Sequence, residues 1–93
     1  MAELLSDEQV SARLADMPGW DREGNEIAHL QTLADFRAAM LYVGAIAYLA
    51  EQANHHPDIS ISWNKVRLTL ATHSAGGLTE NDFLLARQIS ALT

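Results

Sequence analysis

Apolar residues change their spacing along the chain from helical to alternating and back, and the predicted elements follow those changes. After Ser6, Val10, Leu14 and Met17 recur on one helical face. Ser6 and Gln9 fit a capping box, in which each side chain satisfies a backbone N–H of the first turn. Pro18-Gly19 ends this helix. A short strand is expected from Trp20 to Glu23 and a returning one from Glu26 to Leu33, joined by a two-residue turn at Gly24-Asn25. Alternation in the returning strand is poor, because Ile27, Ala28, Leu30 and Leu33 do not share one parity.

Asp35 is the expected N-cap of a second helix. Phe36, Met40, Val43, Ala47 and Ala50 form one apolar stripe, and Ala39, Tyr42, Ile46, Leu49 and Ala53 form another. A helix apolar over so much of its circumference needs cover on two sides. Either a partner subunit supplies the second cover, or the other two helices of the chain flank it. The helix should end at Asn54-His55-His56-Pro57, since Asn tolerates the left-handed conformation and Pro disfavours helix at the residue before it.

The clearest alternation follows. Ile59, Ile61 and Trp63 alternate with polar residues, and after Asn64-Lys65 so do Val66, Leu68 and Leu70, which predicts a hairpin with one buried face. The loop Ser74–Gly77 leads to a last helix with Thr79 as N-cap and Phe83, Ala86, Ile89 and Ser90 on its inner face, Leu84 and Leu85 alongside. The order α-β-β-α-β-β-α predicts an α+β fold in which one antiparallel sheet is covered by helices on one face. With 93 residues, no linker and no repeat, residues 1–93 read as one domain.

Composition removes several function classes. Cysteine is absent, so neither a disulfide framework nor a cysteine-zinc site is possible. The formal charge is −6, and the six basic residues (Arg13, Arg22, Arg37, Lys65, Arg67, Arg87) are scattered, which argues against direct nucleic-acid binding. The longest uncharged stretch runs from Ala38 to Ala50, shorter than the roughly 20 residues a membrane span needs. The N-terminus lacks a basic region followed by an apolar run, so a cytoplasmic address is expected.

The candidate chemistry lies in the histidines. His29 falls mid-strand and reads as a half-exposed strand residue. His55 and His56 follow a helix and His73 follows a strand, and element ends are where functional side chains converge. Imidazole suits proton transfer near neutral pH, although histidines at helix ends also serve only to satisfy carbonyls. A metal site built from His55, His56 and His73 with Glu51 or Asp82 is the competing reading. It ranks lower, because adjacent rings at a sharp junction diverge. Asp82 also fits as a simple first-turn acid after Thr79, and Trp20 and Trp63 fit as core.

Taken together, Glu51, three residues, His55-His56-Pro57, five residues, Trp63, nine residues, His73, eight residues and Asp82 resemble the signature of the pterin-4a-carbinolamine dehydratase family. Gly19-Trp20, Asn64-Lys65-Val66 and Gly77-Leu78-Thr79 extend the resemblance over nearly the whole chain. It implies a four-stranded antiparallel sheet with three helices on one face, a homodimer or homotetramer, and no metal or redox cofactor. It implies removal of water from 4a-hydroxytetrahydropterin to give quinonoid dihydropterin, in the recycling of tetrahydropterin used by aromatic amino acid hydroxylases. Carried over, His55 and His73 correspond to general acids and His56 to a substrate-orienting group with some base character. Asn54, Thr72 and Ser74 would add substrate contacts, with Glu51, Asp82, Trp63 and Trp20 in support. Ser74 stands where some relatives carry an acid. Some animal relatives are dimerisation cofactors of a homeodomain transcription factor, so a protein-binding coactivator module with little or no catalysis is the alternative function.

Overall fold

The computed structural model describes residues 3–93. Helix α1 (Asp7–Ala15) starts as its sequence dictates: Ser6 Oγ accepts from the Gln9 N–H at 3.2 Å, and the Ser6 N–H donates to Gln9 Oε1 at 2.9 Å. The helix stops before Met17, which is buried all the same. Strands β1 (Trp20–Glu23) and β2 (Glu26–Thr32) form the first hairpin around Gly24, whose φ of 61° permits the tight turn. The second strand closes one residue earlier than its apolar pattern suggests, at Thr32. Helix α2 (Phe36–Ala53) begins where the Asp35 carboxylate accepts from the Ala38 N–H at 2.8 Å. Strands β3 (Asp58–Ser62) and β4 (Lys65–Leu70) form the second hairpin, and α3 (Glu80–Ser90) closes the chain.

The sheet is antiparallel throughout, in the order β1-β2-β4-β3, so α2 carries the chain across it and β2 pairs with β4 in the middle. Trp20, Ile27, Val66, Leu68 and Leu70 from the sheet meet Val10, Ile46, Phe83, Leu85 and Ile89 from the helices in one core. The opposite sheet face carries Asp21, Glu23, Leu30, Lys65 and Arg67, all exposed. The architecture is the α+β fold expected. No described helix is long and apolar enough to cross a membrane.

Two strand assignments change. Ile59 and Ile61 do point to the helix side, opposite Leu68 and Val66, but β3 is an edge strand and they remain 36% and 38% exposed. Alternation encodes which face a side chain takes, and strand order decides how deeply that face is covered. The turn residues of this hairpin are Trp63-Asn64, not Asn64-Lys65. Trp63 takes φ 52°, a conformation costly for a bulky residue, with its side chain in solvent.

One stripe of α2 is buried through Ala39, Tyr42 and Ile46, and Ala50 and Val43 of the other stripe also reach the core. The rest of that other stripe is not covered by the helices of the chain. Met40, Ala47 and their neighbours Leu41 (70% exposed) and Tyr48 (67% exposed) face outward.

Gly19 illustrates how tightly the loop between α1 and β1 is drawn onto β2. Its φ is 90°, its carbonyl accepts from His29 Nδ1–H at 2.7 Å, and a Cβ there would sit 3.1 Å from the His29 ring. Gly19→Ala is therefore expected to destabilise the fold by about 1–2 kcal/mol, read as a lower midpoint of urea unfolding. A midpoint equal to that of the parent chain would show that the loop relaxes freely.

Candidate active site

The sheet register brings three loops to one end of the molecule. Ile27 at the start of β2 lies opposite Leu70 at the end of β4, and Asp58 at the start of β3 lies opposite Thr69. The α2–β3 junction with His55 and His56 therefore flanks the end of β4 on one side, and the β1–β2 turn flanks it on the other. The segment leaving β4, with Thr72 and His73, lies between them.

The junction is shaped by its own residues. Asn54 takes the left-handed conformation (φ 49°, ψ 44°), and the His55 N–H returns to the Ala50 carbonyl at 3.0 Å, closing the helix with a Schellman-type cap. Pro57 then forces an extended exit into β3. The two rings diverge and each finds its own carboxylate. His55 Nε2 lies 2.5 Å from Asp82 Oδ1, with the imidazole mostly buried and the carboxylate fully so. His56 Nε2 lies 2.6 Å from Glu51 Oε2, and both side chains are largely in solvent. The surface pair contributes little to stability.

Asp82 is the hub of a buried network. Its Oδ2 accepts from Thr72 Oγ1 and from the Thr79 N–H, each at 2.9 Å, and Thr72 Oγ1 lies 2.7 Å from Thr79 Oγ1. Thr72 has one hydroxyl proton and gives it to Asp82, so the Thr79 hydroxyl donates to Thr72. Asp82 can then accept from His55 Nε2–H, which leaves Nδ1 as the ring nitrogen free for a substrate. A carboxylate held by these donors is desolvated yet satisfied, as a buried charge must be. One side chain thus ties the end of α2 to the loop that begins at Thr72, and His73 is the next residue.

His73 opens a short 3-10 turn (His73–Ala75) and is exposed, with no side-chain hydrogen bond among the described residues. Ser74 is exposed beside it. His73 also lines a cavity of about 380 Å³ bounded by Glu23, Asn25, Glu26, Ala71, Gly76 and Gly77. His55 and His56 are not on its wall.

Several candidate residues take other places. The Thr72 hydroxyl proton is committed to Asp82, so this group has none to donate to a substrate. Trp20 lies in the core, where its indole N–H donates to Ser90 Oγ at 2.9 Å and its ring stacks on His29 at 5.1 Å. Trp63 stands at the far end of the β3–β4 hairpin, roughly 17 Å of strand from Asp58, and forms no wall of this site within one chain. The spacing in the signature runs along a strand, and a strand carries its two ends apart. Glu51 and Asp82 go to different rings, and among the described residues no three His, Asp or Glu side chains converge as a metal-ligand set. Glu26 was not singled out by sequence; its place on the cavity follows from β2–β4 register, which spacing alone does not reveal.

Comparison with known proteins gives a consistent outcome. The profile of the family described as "Pterin 4 alpha carbinolamine dehydratase" matches residues 3–92. A protein of Roseiflexus sp. (strain RS-1), named "Putative pterin-4-alpha-carbinolamine dehydratase", is 52% identical over 92 residues, covering 99% of this chain and 99% of that protein. A protein of the same name from Nocardia farcinica is 53% identical over 90 residues, covering 97% and 95%. Among solved structures, a transcriptional coactivator/pterin dehydratase from Brucella melitensis superposes with a TM-score of 0.91 at 32% identity, covering 95% of this chain and 96% of that one. A pterin dehydratase-like protein described as a RuBisCO assembly factor shares the fold, with a TM-score of 0.69 at 22% identity over 82% of this chain and 90% of that one.

Proposed function

The chain belongs to the pterin-4a-carbinolamine dehydratase family, and on that premise we propose that it removes water from 4a-hydroxytetrahydropterin by histidine acid/base catalysis. The observation that carries the reading is the link from His55 through Asp82 to Thr72, which fixes one imidazole beside the loop that holds the next. The reaction needs a proton on the C4a hydroxyl and a base at N5. The acid protonates the hydroxyl, the C4a–O bond breaks as the N5 lone pair forms the C4a–N5 double bond, and N5 gives its proton to the base. Water and quinonoid dihydropterin result.

His55 and His73 are the proposed acids, serving opposite faces of the ring. Asp82 acts as a positioning residue that holds the His55 tautomer and stabilises the imidazolium. His56, kept in orientation by Glu51, is proposed to align the substrate and to accept the N5 proton, with Asn54 and Ser74 in reach of the ring's polar edge. The substrate would come from a hydroxylase that uses tetrahydropterin, such as an aromatic amino acid hydroxylase. Family membership and the open apolar stripe of α2 support a homodimer or homotetramer.

The test is turnover of freshly generated carbinolamine, followed as quinonoid dihydropterin appears. His55→Ala and His73→Ala are each expected to lower kcat about 100-fold with the fold retained by circular dichroism. Unchanged rates in both variants would remove the assignment of acids.

A further inference from the structure

Apart from His73, the wall of this cavity holds no group used in the proposed proton transfers, and it has a definite chemistry. Of its two carboxylates, Glu23 is paired with Arg67 at 2.5 Å. Glu26 is half-buried and has neither an ion pair nor a side-chain hydrogen bond among the described residues. Asn25 adds an amide to the same rim. The floor is closely packed: Gly77 is buried, and a Cβ there would meet the Leu4 side chain at 2.9 Å and Asn25 at 3.9 Å.

Resting on the dehydratase reading, we infer that this cavity receives the substituent at C6 of the pterin. We infer further that Glu26 selects a neutral, hydroxylated substituent over an anionic one. C6 is bonded to N5, and N5 to C4a, so an imidazole that protonates the C4a hydroxyl lies next to the C6 substituent. His73 lines such a space, and the register places Glu26 across it, on the strand neighbouring the end of β4. A carboxylate with no cation of its own accepts two O–H donors of a vicinal diol and repels a phosphate ester. The net charge of −6 acts in the same direction.

The experiment compares three substrates, with 6-methyl, 6-dihydroxypropyl and phosphorylated 6-hydroxyalkyl substituents, as kcat/KM ratios. The dissociation constants of their oxidised, fluorescent counterparts are measured in parallel. Glu26→Gln is expected to reduce the preference for the diol over the methyl compound about tenfold and to tighten binding of the phosphate ester. Asp21→Asn makes the same change of charge on an exposed strand position outside the cavity and should leave both ratios as they are. Ratios unaffected by Glu26→Gln, or altered equally by Asp21→Asn, overturn the inference and leave the dehydratase reading intact. If the parent chain turns over none of the three yet binds their oxidised forms with the same dependence on Glu26, the dehydratase reading falls and the cavity assignment stands. Absence of any pterin binding overturns both.

Discussion

Asp82→Asn is expected to lower kcat about 1,000-fold, more than loss of either proposed acid alone, while the chain stays folded. Asp82 is fully buried and takes donors from His55, Thr72 and the Thr79 backbone. An asparagine keeps the shape but has one acceptor oxygen where the carboxylate has two. If that oxygen serves Thr72 and Thr79, the amide N–H₂ faces His55 Nε2, which must then accept a proton bond. The ring changes tautomer, and no anion remains to stabilise its charged form. If the oxygen serves His55 instead, the Thr72 and Thr79 donors are left facing N–H groups, and the loop that carries His73 loses its anchor. Either way the arrangement that holds both acids is damaged, which is why the effect exceeds that of removing one ring.

Asp82→Ala leaves all these donors unpaired and is expected to cost about 3–5 kcal/mol of stability as well. The measurements are single-turnover dehydration, circular dichroism, and the dissociation constant of an oxidised pterin. A positioning role predicts a fall in kcat with binding changed less than about threefold. A folded Asp82→Asn variant with parental turnover would sink the linkage of the two loops through this carboxylate.

The second large effect is on assembly. Leu41→Asp and Tyr48→Asp place charges on exposed apolar positions of α2 that the helices of this chain leave open. Burying such a charge in a subunit interface is costly, and each substitution is expected to weaken self-association at least about 100-fold. Sedimentation at micromolar concentration should show the parent chain as a dimer or tetramer and the double variant as a single chain. Because both residues face outward, the unfolding midpoint of the isolated chain should change little. A parent chain that sediments as a monomer, or a double variant that assembles as before, would show that some other surface joins the copies.

Much of the fold is legible from local chemistry. Ser6 with Gln9, Asp35, Gly24-Asn25 and Asn54 each satisfy a backbone requirement within a few residues, and each stands where its chemistry places it. What depends on distant neighbours is not legible. The depth of β3 follows from the strand order, and that order is set when α2 crosses the sheet; nothing within Asp58–Ser62 encodes it. Trp63 continues the alternation of its strand but turns the chain instead, because the hairpin register with β4 leaves it unpaired. At the site, the Thr79–Asp82 spacing announces a helix start. That the same carboxylate also holds His55 depends on a contact across 27 positions. The spacing of the histidines therefore points to proton transfer, but the division of Asp82 to His55 and Glu51 to His56 requires coordinates.

The central pairing of β2 with β4 also bears on how the chain folds. Each hairpin is local and can form early, but Ile27 meets Leu70 only when the two hairpins zip together across the α2 crossover. The end of the molecule carrying the histidines straddles that seam. In amide exchange, protection of the Leu70 region should thus rise and fall with global unfolding, making competence for chemistry a late and cooperative acquisition of the whole chain.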